Sequence, residues 1–374
     1  MAAPAGAPLV LVAAGGTGGH LFPAEALSVA LARRRITVEL ATDERATRYG
    51  TNFPARATHV IPSATLRARN PAAFARTVVV LGIGIARAYA MLGRQRPAAV
   101  VGFGGYPTLP PLLAATLRGI PTVIHDANAV MGRANRMLSS RVTAIATTFP
   151  GVTDANPRIA GKTTHTGNPV RPAVVAAAAV RYVAPASDGA LRLLVFGGSQ
   201  GAKVMADVVP LAIERVPPAA RARLHVVQQA REEDLSRVRD GYARIGVTAE
   251  VAPFFPDLPA RIAVSHLVVS RSGASTVAEL AAIGRPSILV PLPHAIDQDQ
   301  LANARVLEKE GGATLLTQDG FTPETLAAEI ATLAAAPERL TAMAAAAKSA
   351  GATDAAERLA ELVLRVAGVI PPSR

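Results

Sequence analysis

Residues 15–20 read Gly15-Gly16-Thr17-Gly18-Gly19-His20, between the apolar run Leu9 to Ala14 and a helical stretch, Phe22 to Arg34. A strand that stops at clustered glycines before a helix leaves backbone N–H groups unscreened by side chains, at the end of the helix where the dipole is positive. Such a turn suits a phosphate. The arrangement returns 182 residues on, where Leu191 to Phe196 ends in Gly197-Gly198-Ser199-Gln200-Gly201-Ala202 ahead of the helical stretch Lys203 to Glu214. That interval is too long for a solenoid repeat and fits two successive domains, which implies a cleft between two similar halves.

Strand and helix alternate along both halves. Thr37–Thr42, Ala98–Val101, Pro121–His125 and Val142–Thr147 read as strands in the first, and Leu224–Gln228, Val247–Val251, His266–Ser270, Ser287–Val290 and Ala313–Leu316 in the second. Short apolar runs separated by alanine-rich helices predict an α/β fold with parallel sheets covered on both faces. In such sheets ligands bind beyond the carboxyl ends of the strands. The turn formers in Thr166-Gly167-Asn168-Pro169-Val170-Arg171-Pro172 mark a boundary, giving domains 1–172 and 173–352. The tail from Thr353 to Ala367 reads as a helix that Thr353 can cap, within a segment 353–374 that returns to the first domain.

The 374 residues are half hydrophobic and contain no cysteine, so disulfides and thiolate metal sites are excluded, in keeping with a reducing compartment. No basic start precedes the first apolar run, so a cytoplasmic, soluble protein is expected. The longest other apolar run, Thr77 to Ala86, ends at Arg87 and falls short of the ~20 residues that span a bilayer. Residues 1–172 hold 19 Lys and Arg against six Asp and Glu, a net of +13, while residues 173–374 hold 20 against 21. The excess on the first half suggests an anionic partner there: a membrane surface or a phosphorylated substrate. Nucleic acid fits poorly, because aromatic residues are not interleaved with the basic ones. The stretch Leu66 to Arg96 sets Phe74, Val78, Val79, Val80, Leu81, Ile83 and Ile85 among six arginines, which suits either a lipid interface or a core-facing helix with a solvated edge.

Candidate chemistry gathers at the strand ends. Gly102-Phe103-Gly104-Gly105-Tyr106 and His125-Asp126-Ala127-Asn128 follow two strands, and His20 stands at the mouth of the first turn, where an imidazole could serve as a base. In the second half Ser270 to Glu279 puts small residues and hydroxyls at a helix start near Ser275, with Glu279 one turn along the same face. Amides there suit a pyrophosphate and the carboxylate suits ribose hydroxyls; as local structure alone, Ser275 is an N-cap and Glu279 a helix-face charge. Gln300 and Asn303 share a face and could meet sugar hydroxyls. Three patterns fail on inspection. The dinucleotide signature has Leu21 at its final glycine, Gly161-Lys162-Thr163 has Asn156 where a P-loop begins, and Asp297-Gln298-Asp299 is too common a loop pattern to assign a metal.

In order and spacing, Gly15 to His20, Gly102 to Tyr106, Gly167 to Arg171, Gly197 to Ala202, Arg271 to Glu279 and Gln300 to Ala304 resemble the MurG family along nearly the whole chain. Its members add GlcNAc from UDP-GlcNAc to undecaprenyl-pyrophosphoryl-MurNAc-pentapeptide, turning lipid I into lipid II in peptidoglycan synthesis. The resemblance implies a GT-B fold of two Rossmann-like, doubly wound domains facing a cleft, with the acceptor on the first and the UDP-sugar mainly on the second. It implies donor contacts at Thr17, Gly18, Gly19, Asn128, Arg171, Ser199, Phe255, Ala274, Ser275, Thr276, Val277, Ala278, Glu279, Gln300 and Asn303. Glu279 would take the ribose, Gln300 and Asn303 the GlcNAc, and the Phe255 backbone the uracil. Gly104, Gly105, Tyr106 and His125 would lie on the acceptor side. Inversion at the anomeric carbon, without metal or cofactor, needs a base, for which His20 is the first candidate and Asp126 the second. The family pattern His-Glu-Gln-Asn is replaced here by His125-Asp126-Ala127-Asn128, a shorter carboxylate and a lost amide, with Asn128 retained. Also implied are a peripheral place on the cytoplasmic face of the inner membrane and other cell-wall synthesis proteins as partners. The rival readings are a UDP-GlcNAc epimerase of similar fold and a non-enzymatic basic peripheral membrane protein.

Overall fold

The computed structural model describes residues 7–44, 53–65, 70–198 and 201–370. The chain divides into two units, Met1–Arg171 with Asp354–Arg374, and Pro172–Thr353. In the first, β1 (Leu9–Ala13), β2 (Thr37–Thr42), β3 (Thr58–Val60), β4 (Ala99–Gly102), β5 (Thr122–Asp126), β6 (Ala144–Thr147) and β7 (Thr163–His165) form a parallel sheet of order β3-β2-β1-β4-β5-β6-β7 among the described residues. Alternate side chains of β1 enter different cores. Val10 and Val12 meet Leu27 and Leu31 of the helix Gly18–Arg33 and Leu359 and Val363 of the helix Ala355–Val366. Leu11 and Ala13 meet Leu92 of the helix Pro71–Gln95 and Leu112 of the helix Leu109–Leu117. Covering on both faces is why these strands read as unbroken apolar runs. The edge strands β3 and β7 are three residues long and carry no such run, so their sequence does not announce them.

Two features depart from the sequence reading. The C-terminal helix begins at Ala355 with Asp354, not Thr353, in the N-cap position, and no side chain caps it. The helix Pro71–Gln95 has 25 residues and is long and apolar enough, by length and composition, to cross a bilayer, more than the ten-residue count predicts. Its alanines and glycines extend the apolar stretch past Arg76 and Arg87. Asn70 caps its start through Ala73 N–H, and Gly84, Ala88, Met91 and Leu92 are buried in its second half. Gly84 is required there, because a Cβ would meet the Pro62 carbonyl at 2.1 Å. The first half is largely exposed, with Phe74 53% and Val79 59% accessible.

In the second unit β8 (Leu191–Phe196), β9 (Leu224–Gln229), β10 (Thr248–Ala252), β11 (Leu267–Ser270), β12 (Ser287–Leu289) and β13 (Ala313–Leu315) form a parallel sheet of order β10-β9-β8-β11-β12-β13. Each sheet therefore reverses direction of growth beside its first strand, between β1 and β4 and between β8 and β11. At such a switch point the connections diverge and leave a crevice beyond the strand ends. The turns after β1 and β4, and those after β8 and β11, open there.

Candidate active site

The helix Gly18–Arg33 starts earlier than its apolar spacing predicts, so Gly18, Gly19 and His20 form its first turn and Thr17 is the N-cap residue. The Thr17 hydroxyl does not cap the helix but lies 2.9 Å from His20 Nδ1. Glycines wall the imidazole. A Cβ at Gly15 would come 3.2 Å from Nδ1, one at Gly105 3.2 Å from Cε1, and one at Gly104 3.5 Å from Nε2. Gly104 and Gly105 also hold φ of 84° and 76°, which larger residues resist. The ends of β1 and β4 thus bring His20, Gly104 and Gly105 together, and Tyr106 follows at the start of a short helical turn, half-buried against the apolar layer. A Cβ at Gly19 would meet nothing within 4 Å, so that side of the turn is open to a ligand.

At the end of β5 the structure corrects two assignments. His125 is fully buried, its ring 5.4 Å from that of Phe103 and its Nε2 3.1 Å from the Gly167 carbonyl. Burial lowers it to about 4, against the opposing hydrogen bond to Gly167, so it is a neutral core group and not a surface on which an acceptor rests. Asp126 is also buried. Its Oδ1 accepts from Asn128 N–H at 3.2 Å, and its Oδ2 accepts from Gly132 N–H at 2.9 Å and Asn135 Nδ2 at 3.0 Å. Burial raises its pKa, while the bonds from Asn135, Gly132 and Asn128 and the charge of Arg136 oppose the rise. The short carboxylate holds the loop 127–135 in shape, including the backbone of half-buried Asn128, and is withdrawn from the role of base. Arg171 lies in this first unit, its guanidinium carbon 3.9 Å from the centre of the Phe22 ring.

In the second unit the turn after β8 admits only glycine at 197, where a Cβ would meet Ala202 N at 2.2 Å. Gly197 N–H donates to Gln229 Oε1 at 3.0 Å, and Gly198 takes φ 89°. Ser199 lies outside the described residues. After β11 the N-cap is Gly273, and Ser275 occupies the second position of the helix Ala274–Ile283 rather than the cap. The first helical bond runs from Val277 N–H to Gly273 O, so the amides of Ala274, Ser275 and Thr276 are those that a helix start leaves over. A Cβ at Gly273 would meet nothing within 4 Å. This is an anion site in form, with half-buried Ala278 and nearly buried Glu279 along the next turn.

Its supports come from distant residues. Arg271 donates through Nη1 to the carbonyls of Val290 and Pro291 and through Nη2 to Gln318 Oε1 at 2.6 Å. Ser272 Oγ donates to the Gln300 carbonyl at 2.8 Å, and Asn303 Nδ2 to the Ser272 carbonyl at 3.3 Å. Asn303, read from helix spacing as a sugar contact, is wholly buried here and braces the turn. Gln300 spends its side-chain oxygen on Leu292 N–H, and its NH2 is the part it can offer a sugar hydroxyl. Phe255 is buried beneath Arg261, whose guanidinium carbon is 4.4 Å from the ring centre, while Phe254 beside it is exposed. Among the described residues no group of three or more His, Cys, Asp or Glu could hold a metal ion.

Residues 10–147 match the glycosyltransferase family 28 N-terminal domain, and residues 192–359 the C-terminal domain of the same family. The chain belongs to glycosyltransferase family 28. A relative from Rhodopseudomonas palustris (strain BisB18), named UDP-N-acetylglucosamine--N-acetylmuramyl-(pentapeptide) pyrophosphoryl-undecaprenol N-acetylglucosamine transferase, is 64% identical over 363 residues, 97% of each chain. The crystal structure of Acinetobacter baumannii MurG matches with a TM-score of 0.77 at 28% identity, over 96% of this chain and 99% of that one. Two parallel-sheet units with these matches make a GT-B fold. The fold alone extends to the UDP-GlcNAc 2-epimerase of Neisseria meningitidis, at 15% identity and a TM-score of 0.66, over 96% of this chain and 100% of that one.

For this family 28 chain, sequence reading missed Phe22, Asn135 and Gln229, each of which touches a candidate residue or its turn, and saw Ser272 only as part of the stretch Ser270 to Glu279. Nothing in the local pattern shows which partner each of the four meets. The distance in sequence between partners, 32 residues for Gly197 and Gln229 and 28 for Ser272 and Gln300, explains why.

Proposed function

We propose that this protein transfers GlcNAc from UDP-GlcNAc to the 4-hydroxyl of MurNAc in undecaprenyl-pyrophosphoryl-MurNAc-pentapeptide, converting lipid I to lipid II. The observation that carries this reading is the helix start at Gly273–Thr276 with Glu279 one turn in: amides for a diphosphate, a carboxylate for ribose hydroxyls. The 64% identity to a relative bearing that activity in its name supports it. In the reaction the acceptor oxygen attacks the anomeric carbon of the α-linked donor as the bond to the β-phosphate oxygen breaks. UDP leaves with the electron pair, the hydroxyl proton passes to a base, and a β(1→4) bond results.

His20 is the base in this proposal. The Thr17 hydroxyl at Nδ1 orients the ring, and in the tautomer whose Nδ1–H donates to that hydroxyl Nε2 is the nitrogen that accepts the proton. The leaving diphosphate draws on backbone amides aimed before the charge develops, so they need no reorganisation during the reaction. Thr276, Val277 and Ala278 share the helix that carries these groups, and Thr17, Gly18 and Gly19 form the corresponding start in the first unit.

The exposed first half of the helix Pro71–Gln95 is the proposed contact with the cytoplasmic face of the inner membrane. Phe74, Val78, Val79 and Ile83 supply apolar surface, and exposed Arg76, with exposed Arg87 one turn beyond Ile83, supplies charge for anionic headgroups. Residues 66–69, the start of the stretch whose sequence suits either a lipid interface or a core-facing helix, lie outside the described residues. The anionic surface also attracts through the +13 excess of residues 1–172.

Release of UDP from UDP-GlcNAc, measured with and without lipid I, tests the proposal. Release that requires lipid I, with lipid II as product, is the expected result. Consumption of UDP-GlcNAc without acceptor would favour an epimerase, and binding without turnover would favour a membrane adaptor.

A further inference from the structure

We propose that Phe22 is a positioning residue: its ring is the platform that holds the Arg171 guanidinium at the start of the helix Gly18–Arg33, ready for a phosphate of the donor. This rests on the reading of Arg171 as a donor contact.

The guanidinium carbon lies 3.9 Å from the ring centre, within the range in which the negative face of an aromatic ring attracts a cation. Phe22 stands four residues after Gly18, and long side chains on a helix lean toward its N-terminus, so the ring reaches back over the first turn. Gly18 makes room for it. A Cβ at Gly18 would come 3.1 Å from Phe22 Cε2 and 3.3 Å from Cζ, closer than the ring could accept without shifting. One glycine therefore does two things, baring the backbone of the helix start and seating the ring that carries the arginine.

Glu25, three residues after Phe22, is half-buried on the same helix face. Burial raises the pKa of its carboxyl, and the charge of Arg171 opposes the rise. Arg171 is thus attracted to a ring face and to a carboxylate, both on the helix Gly18–Arg33. A ring face holds a guanidinium through its flat surface, which is not the edge that makes paired hydrogen bonds to phosphate oxygens. Holding it beforehand removes the ordering of a long side chain from the cost of binding. Phe22 has no polar atom of its own, so its effect on a phosphate has to pass through Arg171.

The test is donor KM and kcat, at saturating lipid I, for Phe22→Leu, Phe22→Tyr, Arg171→Ala and the double variant Phe22→Leu/Arg171→Ala. Phe22→Leu is expected to raise donor KM about three- to tenfold with kcat within about twofold, the loss of one partly exposed cation–π contact. Phe22→Tyr, which keeps the ring face, should match the unsubstituted protein. The double variant should equal Arg171→Ala, because a residue acting only through Arg171 has nothing left to position. A Phe22→Leu protein with unchanged donor KM, or with a loss confined to kcat, overturns the inference, as does full additivity in the double variant. If Arg171→Ala leaves donor KM unchanged, the reading of Arg171 as a donor contact fails and the inference with it. If Arg171→Ala raises donor KM and Phe22→Leu does not, only the inference fails. Should Phe22→Leu not fold by circular dichroism, Phe22→Met, whose long flexible side chain fills the gap and has no π face, gives the same comparison.

Discussion

The Thr17 hydroxyl and His20 Nδ1 lie 2.9 Å apart within one helical turn, and the pairing comes at the expense of a helix cap. A threonine in the N-cap position ordinarily accepts a backbone N–H from the first turn. Here the hydroxyl serves the imidazole instead. His20→Ala is expected to lower kcat ~100- to 10,000-fold, the span of general base catalysis, with donor affinity changed less than about threefold. Thr17→Val should lower kcat by a smaller factor, and Thr17→Ser should restore most of it. Steady-state UDP release and calorimetric titration with UDP-GlcNAc separate the two quantities. Equal loss in turnover and donor affinity for His20→Ala would contradict the assignment.

Glu279, one turn into the helix Ala274–Ile283, is the proposed ribose ligand. Glu279→Ala should raise donor KM ~10- to 100-fold, the worth of hydrogen bonds to a charged group. The same loss should appear when the unsubstituted protein is given 2′-deoxy donor, and the variant should no longer distinguish the two donors. Continued discrimination by Glu279→Ala would place the ribose elsewhere.

Asn303 braces the turn from within. Asn303→Ala removes a buried donor from the Ser272 carbonyl, so urea unfolding should show a loss of about 1–3 kcal/mol, with a rise in donor KM that follows the loosened turn. Asn303→Asp should be no better, since a carboxylate cannot donate to that carbonyl. Unchanged stability in Asn303→Ala would return the residue to direct sugar binding.

Stability should fall with acid in a window set by buried imidazole. His125 is held at about 4 by burial, below its ordinary value near 6.5, so the unfolded chain takes up a proton that the folded chain refuses. Its contribution is whole above pH ~6.5 and is drawn down as pH falls toward 4, by about 3 kcal/mol at most. His266, also lowered to about 4 by burial and then by Arg192, Arg285 and Arg223, adds a smaller share because it is more accessible. Urea midpoints measured across this range should show a shallower slope for His125→Gln, which keeps a donor for the Gly167 carbonyl and does not titrate. An unchanged slope would mean that other groups govern it.

The proposed membrane face can be separated from the chemistry. Val79→Glu with Ile83→Glu places charge on exposed positions, so stability should change by less than about 0.5 kcal/mol. Binding to vesicles of anionic lipid should weaken several-fold, while turnover of a water-soluble lipid I analogue stays near that of the unsubstituted protein. Binding of the unsubstituted protein should fall as salt rises from ~0.05 to 0.5 M. Vesicle binding that ignores both the substitutions and the salt would move the contact elsewhere.

Two positions show how far a local pattern can be read. Gly197 declares itself, because a strand that meets a glycine cluster before a helix has few alternatives, and the 2.2 Å approach of Ala202 N gives the physical reason. Asn303 reads equally well as a surface amide, since its spacing from Gln300 fixes a shared helix side and not what lies against it. Asp126 and His125 follow the same logic: position at a strand end is visible in sequence, burial is not.

What the amino-acid order determined is the alternation of buried strands and helices and the glycine turns between them, since parallel strands covered on both faces must be continuously apolar and bare turns must be glycine. Tertiary structure alone decided that His125 is buried against the Gly167 carbonyl, that Ser272 holds Gln300, and that Phe22 lies under Arg171, 149 residues away. Local spacing places a side chain on a face, but only the folding of distant segments against that face decides whether water, a ligand or another residue occupies it.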